Sequence, residues 1–228
     1  MSIKPLTQIK KKERVVPYPL PCFNERPFLW GIISRTGQGK SVLVANLLRR
    51  PEFYFKKFDE VFIATSNVDE NGEITDSAYK LIEFNEDNIY TDFDEGIFED
   101  IKKKILSDED WQDKNYLLVI DDLPYSLRNN KVGKILLKHR HLNLSIIFTT
   151  QKVNIVSRLV RTNMTNITIF KSLNKDELED LNKTIDIDKN AFRELLDYAT
   201  KEPYNFLFIN VLKPKFYKNF SEELVIEN

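Results

Sequence analysis

Three of the chain's six glycines, Gly31, Gly37 and Gly39, fall in one short segment, Trp30-Gly-Ile-Ile-Ser-Arg-Thr-Gly-Gln-Gly-Lys-Ser41. Glycine crowded into one place in a glycine-poor chain marks backbone that side chains would obstruct. An apolar strand-like run precedes the loop and an apolar helix-like run, Val42 to Leu48, follows it. A loop leaving a strand and entering a helix can wrap phosphate with its N–H groups. Lys40 then supplies a point charge for the β- and γ-phosphates, and the Ser41 hydroxyl is suited to Mg²⁺. The pattern is the phosphate-binding loop G-x-x-x-x-G-K-[ST], with Ser34 standing where the first glycine belongs. Ser34, Arg35, Thr36, Gly37, Gln38, Gly39, Lys40 and Ser41 are therefore the expected nucleotide-phosphate-binding residues.

Around this loop the chain alternates strand-like and helix-like segments. Short apolar runs rich in β-branched and aromatic residues occur at 28–33, 61–65, 116–120, 144–149, 167–170 and 206–211. Helical segments are expected at 40–50, 96–106, 132–139, 154–161, 176–184 and 189–200. Such alternation predicts an α/β fold with a mostly parallel central sheet flanked by helices. Residues 1–26, with four prolines and the basic run Lys10, Lys11, Lys12 and Arg14, fit neither period and read as an arm on a single domain spanning 27–228.

Composition narrows the class. Hydrophobic residues make up 42% and charged residues 30%, which excludes wholesale disorder. Thirty-four basic against 35 acidic residues leave a charge of -1, so any hold on nucleic acid must be a local patch. Residues 1–14 and the basic-aromatic stretch 213–218 are the candidates. Cys22 is the only cysteine, which removes the disulfide-framework class. No secretory leader or membrane-spanning run is read, and a non-secreted chain is expected. The acid-rich stretch 83–113 reads as a solvated helix with acidic loops.

Two further strands end in polar side chains. Tyr116-Leu-Leu-Val-Ile120 runs into Asp121-Asp122, the form in which the first acid holds the metal's shell and the second polarises the attacking water. Leu144-Ser-Ile-Ile-Phe-Thr-Thr150 delivers Gln151 to the ligand edge, where a γ-phosphate or water sensor would sit. Before that strand lies His139-Arg140-His141, holding both histidines. Zinc is discounted for want of further ligands. Arg140 is the expected finger reaching a neighbouring subunit's γ-phosphate, with Arg158 and Arg161 as rivals.

Taken together, the loop 34–41, Ile120-Asp-Asp122, and Arg140 leading through the strand to Gln151 resemble the FtsK-HerA superfamily of DNA-pumping ATPases. The genome-packaging ATPases of large DNA viruses and virophages are the nearest look. The resemblance runs from about Pro27 to Lys171 and includes Arg161-Thr-Asn163 before the strand at 167–170. It implies an ASCE-type sheet with the Gln151 strand between the loop strand and the Asp121 strand, and ATP with Mg²⁺ held by Ser41 and Asp121. It further implies Asp122, Gln151 and an arginine (Arg140 or Arg161) as catalytic groups, a homo-oligomeric ring (pentamer or hexamer), double-stranded DNA in the pore and capsid proteins as further partners. The location implied is the host cytoplasm, a viral factory or the virion. Ser34, and Asp122 in place of the bacterial pumps' Glu, depart from the pattern and bear on rate more than on binding.

Other readings compete. A regulatory GTPase would want Asn-Lys-x-Asp, but Asn174-Lys-Asp-Glu177 ends in Glu and reads as a helix start. A small-molecule kinase would want an arginine-rich lid, and no stretch stands out as one. A nucleotide-binding docking or regulatory module without DNA pumping is the alternative from a different class.

Overall fold

The architecture comes from a computed structural model describing residues 23, 27–171 and 174–226. Nine strands form one sheet in the order β3-β2-β4-β5-β1-β6-β7-β8-β9. The five at its heart are β1 (Leu29–Ile33), β2 (Glu60–Thr65), β4 (Tyr116–Asp121), β5 (Leu144–Thr150) and β6 (Asn166–Phe170). All pair in parallel, so both faces must be covered, and β1, β4, β5 and β6 are accordingly buried at every position. β5 lies between β1 and β4, the expected placement.

Alternate residues along β1 go to opposite layers. Leu29 and Ile33 join a core covered by α2 (Glu95–Ser107), α4 (Asn130–Leu136), α6 (Lys175–Ile185) and α7 (Lys189–Ala199). Trp30 and Ile32 join the opposite core, covered by α1 (Lys40–Arg49). Gly31 faces the first layer, where an added Cβ would meet Met164 Sδ at 2.7 Å and Phe148 Cζ at 2.8 Å. It is thus a packing glycine, not a phosphate glycine.

The second layer is aromatic. Phe23, inside the stretch read as an arm, is buried and stacks on Tyr54 at 5.2 Å between centroids, edge-on to Phe220 at 4.9 Å. The rest of residues 1–26, Cys22 and the basic run included, lies outside the described residues.

Several elements differ from expectation. β3 (Ile89–Tyr90) and the short helix α3 (Pro124–Arg128) are additions. The helix expected at 132–139 ends at Leu136 and is followed by a 3₁₀ turn, His139–Leu142. That expected at 154–161 breaks into a 3₁₀ turn, Val153–Ile155, and the four-residue α5 (Arg158–Arg161), whose N-cap is Ser157. Most of the basic-aromatic stretch 213–218 is strand. Lys215–Lys218 is β8, and with β7 (Phe206–Asn210) and β9 (Glu222–Leu224) it forms an antiparallel extension of the sheet. Phe216 and Tyr217 are core, Lys215 pairs with Glu223 at 2.9 Å and Lys218 lies over the Tyr198 ring. The aromatic groups offered there for nucleic acid are therefore buried. The helix start at Asn174 is as expected: Asn174 and Glu177 form a reciprocal capping box.

Candidate nucleotide-binding site

The loop from β1 to α1 is bent by two left-handed residues, Gly37 (φ 78°) and Gly39 (φ 93°), the second capping α1. A Cβ on Gly37 would meet nothing within 4 Å, so conformation, rather than crowding, demands glycine there. Ser34 is not among the positive-φ residues and its side chain is accommodated: the hydroxyl donates to Arg35 O at 2.9 Å. Its N–H donates to Thr150 O at 3.1 Å, extending the β1–β5 pairing. The loop therefore tolerates serine at its first position without strain.

Lys40 threads back under the loop and donates to Ser34 O at 2.9 Å and Arg35 O at 3.3 Å. Burial pulls its ammonium below the ordinary lysine value, against the pull of Asp122 and Asp121. The charge is thus held under the loop opposite two carboxylates. Arg35 and Thr36 are exposed, and Gln38 and Ser41 are half-buried.

Asp121 ends β4 and is buried. Its Oδ1 accepts from Tyr79 Oη and Thr149 Oγ1, each at 2.8 Å, and its Oδ2 from Asn67 Nδ2 at 3.5 Å. Burial raises its carboxyl above the usual range, while the Thr149 and Tyr79 bonds favour the ionised form. Tyr79, on the 3₁₀ turn Tyr79–Leu81, thus orients the first acid of the pair from a separate element. Ser41 and Asp121 line one cleft, and their hard oxygens suit Mg²⁺, which takes one or two protein groups and completes its shell with phosphate and water. Among the described residues no cluster of three or more His, Cys, Asp or Glu that could hold a metal ion is found.

Asp122 sits at φ 49°, a left-handed kink that turns the chain off β4. Its N–H donates to Thr149 Oγ1 at 3.0 Å, and Oδ2 accepts from Gln151 Nε2 at 2.8 Å. Gln151, one residue past β5, thus meets Asp122 across the edge where the loop lies.

The loop, α1, Asn67, Asp76–Ala78, Asp121, Asp122, Phe170, Tyr204 and Phe206 line one cleft of about 640 Å³. Tyr79, Asn67 and Tyr204 were not singled out from the sequence. The arginines lie elsewhere. Arg140 is exposed on the 3₁₀ turn before β5, at the opposite end of that strand from Gln151. Seven strand residues, roughly 23 Å, separate it from its own loop edge. Arg161 pairs with Asp180 of α6 at 2.6 Å, and Arg158 is exposed. His139 is buried with Nδ1 on Leu144 O at 2.6 Å, and His141 is exposed, so the two do not form a metal pair.

A phosphate-type loop after the first core strand, an acid pair at the end of the second strand over and Gln151 after the strand between them define a P-loop NTPase of the additional-strand type. Its family follows from the match of the model described as Poxvirus A32 protein to residues 20–201, and the chain belongs to that family. No curated protein matches the chain by sequence. The fold is similar to that of the genome packaging NTPase B204 from Sulfolobus turreted icosahedral virus 2 in complex with AMPPCP (TM-score 0.64, 18% identity, 88% of this chain and 99% of that one). It is similar also to B204, the DNA-packaging ATPase from Sulfolobus Turreted Icosahedral Virus (TM-score 0.62, 20% identity, 85% and 98%). A third likeness is to the cytoplasmic domain of the Thermomonospora curvata Type VII Secretion ATPase EccC (TM-score 0.51, 11% identity, 87% and 25%). The family match and this fold bear out the resemblance drawn from the motifs. Among the described residues no helix is long and apolar enough to cross a membrane.

Proposed function

We propose that the protein is an ATPase that drives double-stranded DNA into a viral capsid, working as a homo-oligomeric ring with residues 27–228 as the ATPase domain. The observation that carries this is the convergence of Lys40 and Ser41 with Asp121, Asp122 and Gln151 on one sheet edge, in a chain of the Poxvirus A32 family. The similar solved folds are named as packaging ATPases, which supports the direction of the reading.

In this reading the loop N–H groups and Lys40 hold the β- and γ-phosphates. Lys40 must leave the carbonyls of Ser34 and Arg35 to do so. Ser41 and Asp121 hold Mg²⁺, which supplies neutralisation of phosphate charge. Asp122 accepts the proton of the attacking water, and Gln151 positions that carboxylate and senses the γ-phosphate. Arg140, too far from its own loop, acts on the nucleotide of an adjoining subunit. ATP hydrolysis measured with and without double-stranded DNA, beside a mass measurement of the assembly, tests the proposal. DNA-stimulated turnover by a ring supports it, while ATP binding without turnover points to a docking module instead.

A further inference from the structure

Asp122 and Gln151 lie to one side of the loop, on β4 and β5. On its other side the sheet continues through β6 to β7, and there the cleft wall is aromatic. Phe170 ends β6 and Phe206 begins β7, their rings 5.3 Å apart. Two residues before β7, Tyr204 projects beside the loop, with Cδ1 3.7 Å from where a Cβ on Gly39 would stand.

Two features together set Tyr204 apart, since Phe220 shares its positive φ (65°) but is buried. Tyr204 is 68% exposed, although its neighbours in the wall are buried. It also sits at φ 63°, a region that bulky side chains rarely occupy. The turn Glu202-Pro203-Tyr204-Asn205 closes through Asn205 N–H to Glu202 O at 3.2 Å. Proline at the second position and positive φ at the third is the pattern of a type II turn, whose third position favours glycine. Asn205 holds the turn in place by accepting from Asn219 Nδ2 at 2.7 Å. A tyrosine thus occupies a glycine position, its ring in water at the mouth of a phosphate site. Backbone strain of this kind collects where a side chain serves a ligand.

We propose that Tyr204, together with Phe170 and Phe206, is the ledge on which the nucleobase stacks. The γ-phosphate then lies toward β4 and β5 and the base toward β6 and β7. This inference rests on the nucleotide-binding reading and extends it to the far end of the ligand. Stacking on an aromatic side chain is a sufficient source of base affinity without any edge-specific hydrogen bond.

Titration calorimetry with ATP and with inorganic tripolyphosphate separates the two ends. Tyr204→Gly should weaken ATP binding roughly ten-fold, the lower range for loss of one stacked ring. It should leave tripolyphosphate binding unchanged, and the melting temperature should move by no more than about 3 °C, because glycine takes the turn's φ freely. Tyr204→Phe should bind ATP like the wild type. Unchanged ATP affinity in Tyr204→Gly overturns the proposal, and so does an equal loss for both ligands, which would make the turn a support for the loop alone. If the wild type binds neither ligand, the phosphate-loop reading fails and the ledge with it.

Discussion

Gln151 Nε2 donates to Asp122 Oδ2 at 2.8 Å, so the residue on the sensor strand holds the carboxylate assigned to the attacking water. Asp122→Asn should keep ATP bound and lower turnover on the order of 10²- to 10⁴-fold, since an amide cannot accept the proton. Gln151→Ala should lower turnover less, because it frees the carboxylate without removing it. Nucleotide affinity and single-turnover hydrolysis, measured on both variants, check this; parallel loss of binding in Asp122→Asn would move that residue into the metal shell.

Lys40→Ala removes the ammonium held beneath the loop. Nucleotide affinity should fall on the order of 100-fold, the loss of charge-assisted bonds to phosphate, and hydrolysis should cease. Wild-type turnover in this variant would sink the loop assignment.

Tyr79→Phe takes one of two bonds from Asp121 Oδ1 while keeping the buried ring. Loss of a partner that orients a metal ligand costs affinity for the metal, so the Mg²⁺ concentration at half-maximal activity should rise about 10-fold. Activity at saturating Mg²⁺ should largely recover. Unchanged Mg²⁺ dependence would reduce Tyr79 to a packing residue.

The central strands were legible because a strand buried on both faces is rich in apolar residues, as 116–120 is throughout and 144–149 is apart from Ser145 and Thr149. The loop and the acid pair were legible because their chemistry is local in sequence. Tyr79 was not, since its partner Asp121 is 42 residues away and nothing near Tyr79 signals the contact. β8 and β9 escaped for a different reason: Lys-Phe-Tyr-Lys and Glu-Glu-Leu are short, half polar, and become strands only by pairing with their neighbours. At Tyr204 a glycine would have announced the turn, whereas tyrosine concealed it.

Arg140 lies at the far end of β5 from its own loop, so any catalytic role must be exercised on a neighbouring subunit. Arg140→Ala should bind ATP normally and lose on the order of 10³ in rate. Mixing it with Lys40→Ala should restore part of the activity, because an intact loop can then meet an intact arginine. Mixed rings that stay inactive, with Arg161→Ala complementing instead, would transfer the role to Arg161 despite its pair with Asp180.

His139 gives the fold a pH dependence. Burial pulls its imidazole from 6.5 down to about 4, so the folded chain keeps it neutral with Nδ1–H on Leu144 O. Above pH ~6.5 neither state is protonated and the contribution is complete; between there and pH ~4 the unfolded chain takes up a proton that the folded one refuses. Stability should fall by roughly 3 kcal/mol across that window. Urea unfolding of the wild type and His139→Gln at the two ends of the window checks it, and the variant should lose less on acidification.

The order of strands in the sheet also sets a schedule for synthesis. β1 carries the loop and is the first of the described strands to be made, yet Phe28 meets its partner Ser145 only 117 residues later, and β6 follows later still. At the pace of a ribosome this leaves a wholly apolar strand without either neighbour for about 6 to 25 s. β7, β8 and β9 pair as local hairpins and face no such delay. The nascent chain is therefore most exposed to misassembly where its chemistry will reside, and substitutions that make β1 stickier should reduce soluble yield before they alter the finished enzyme.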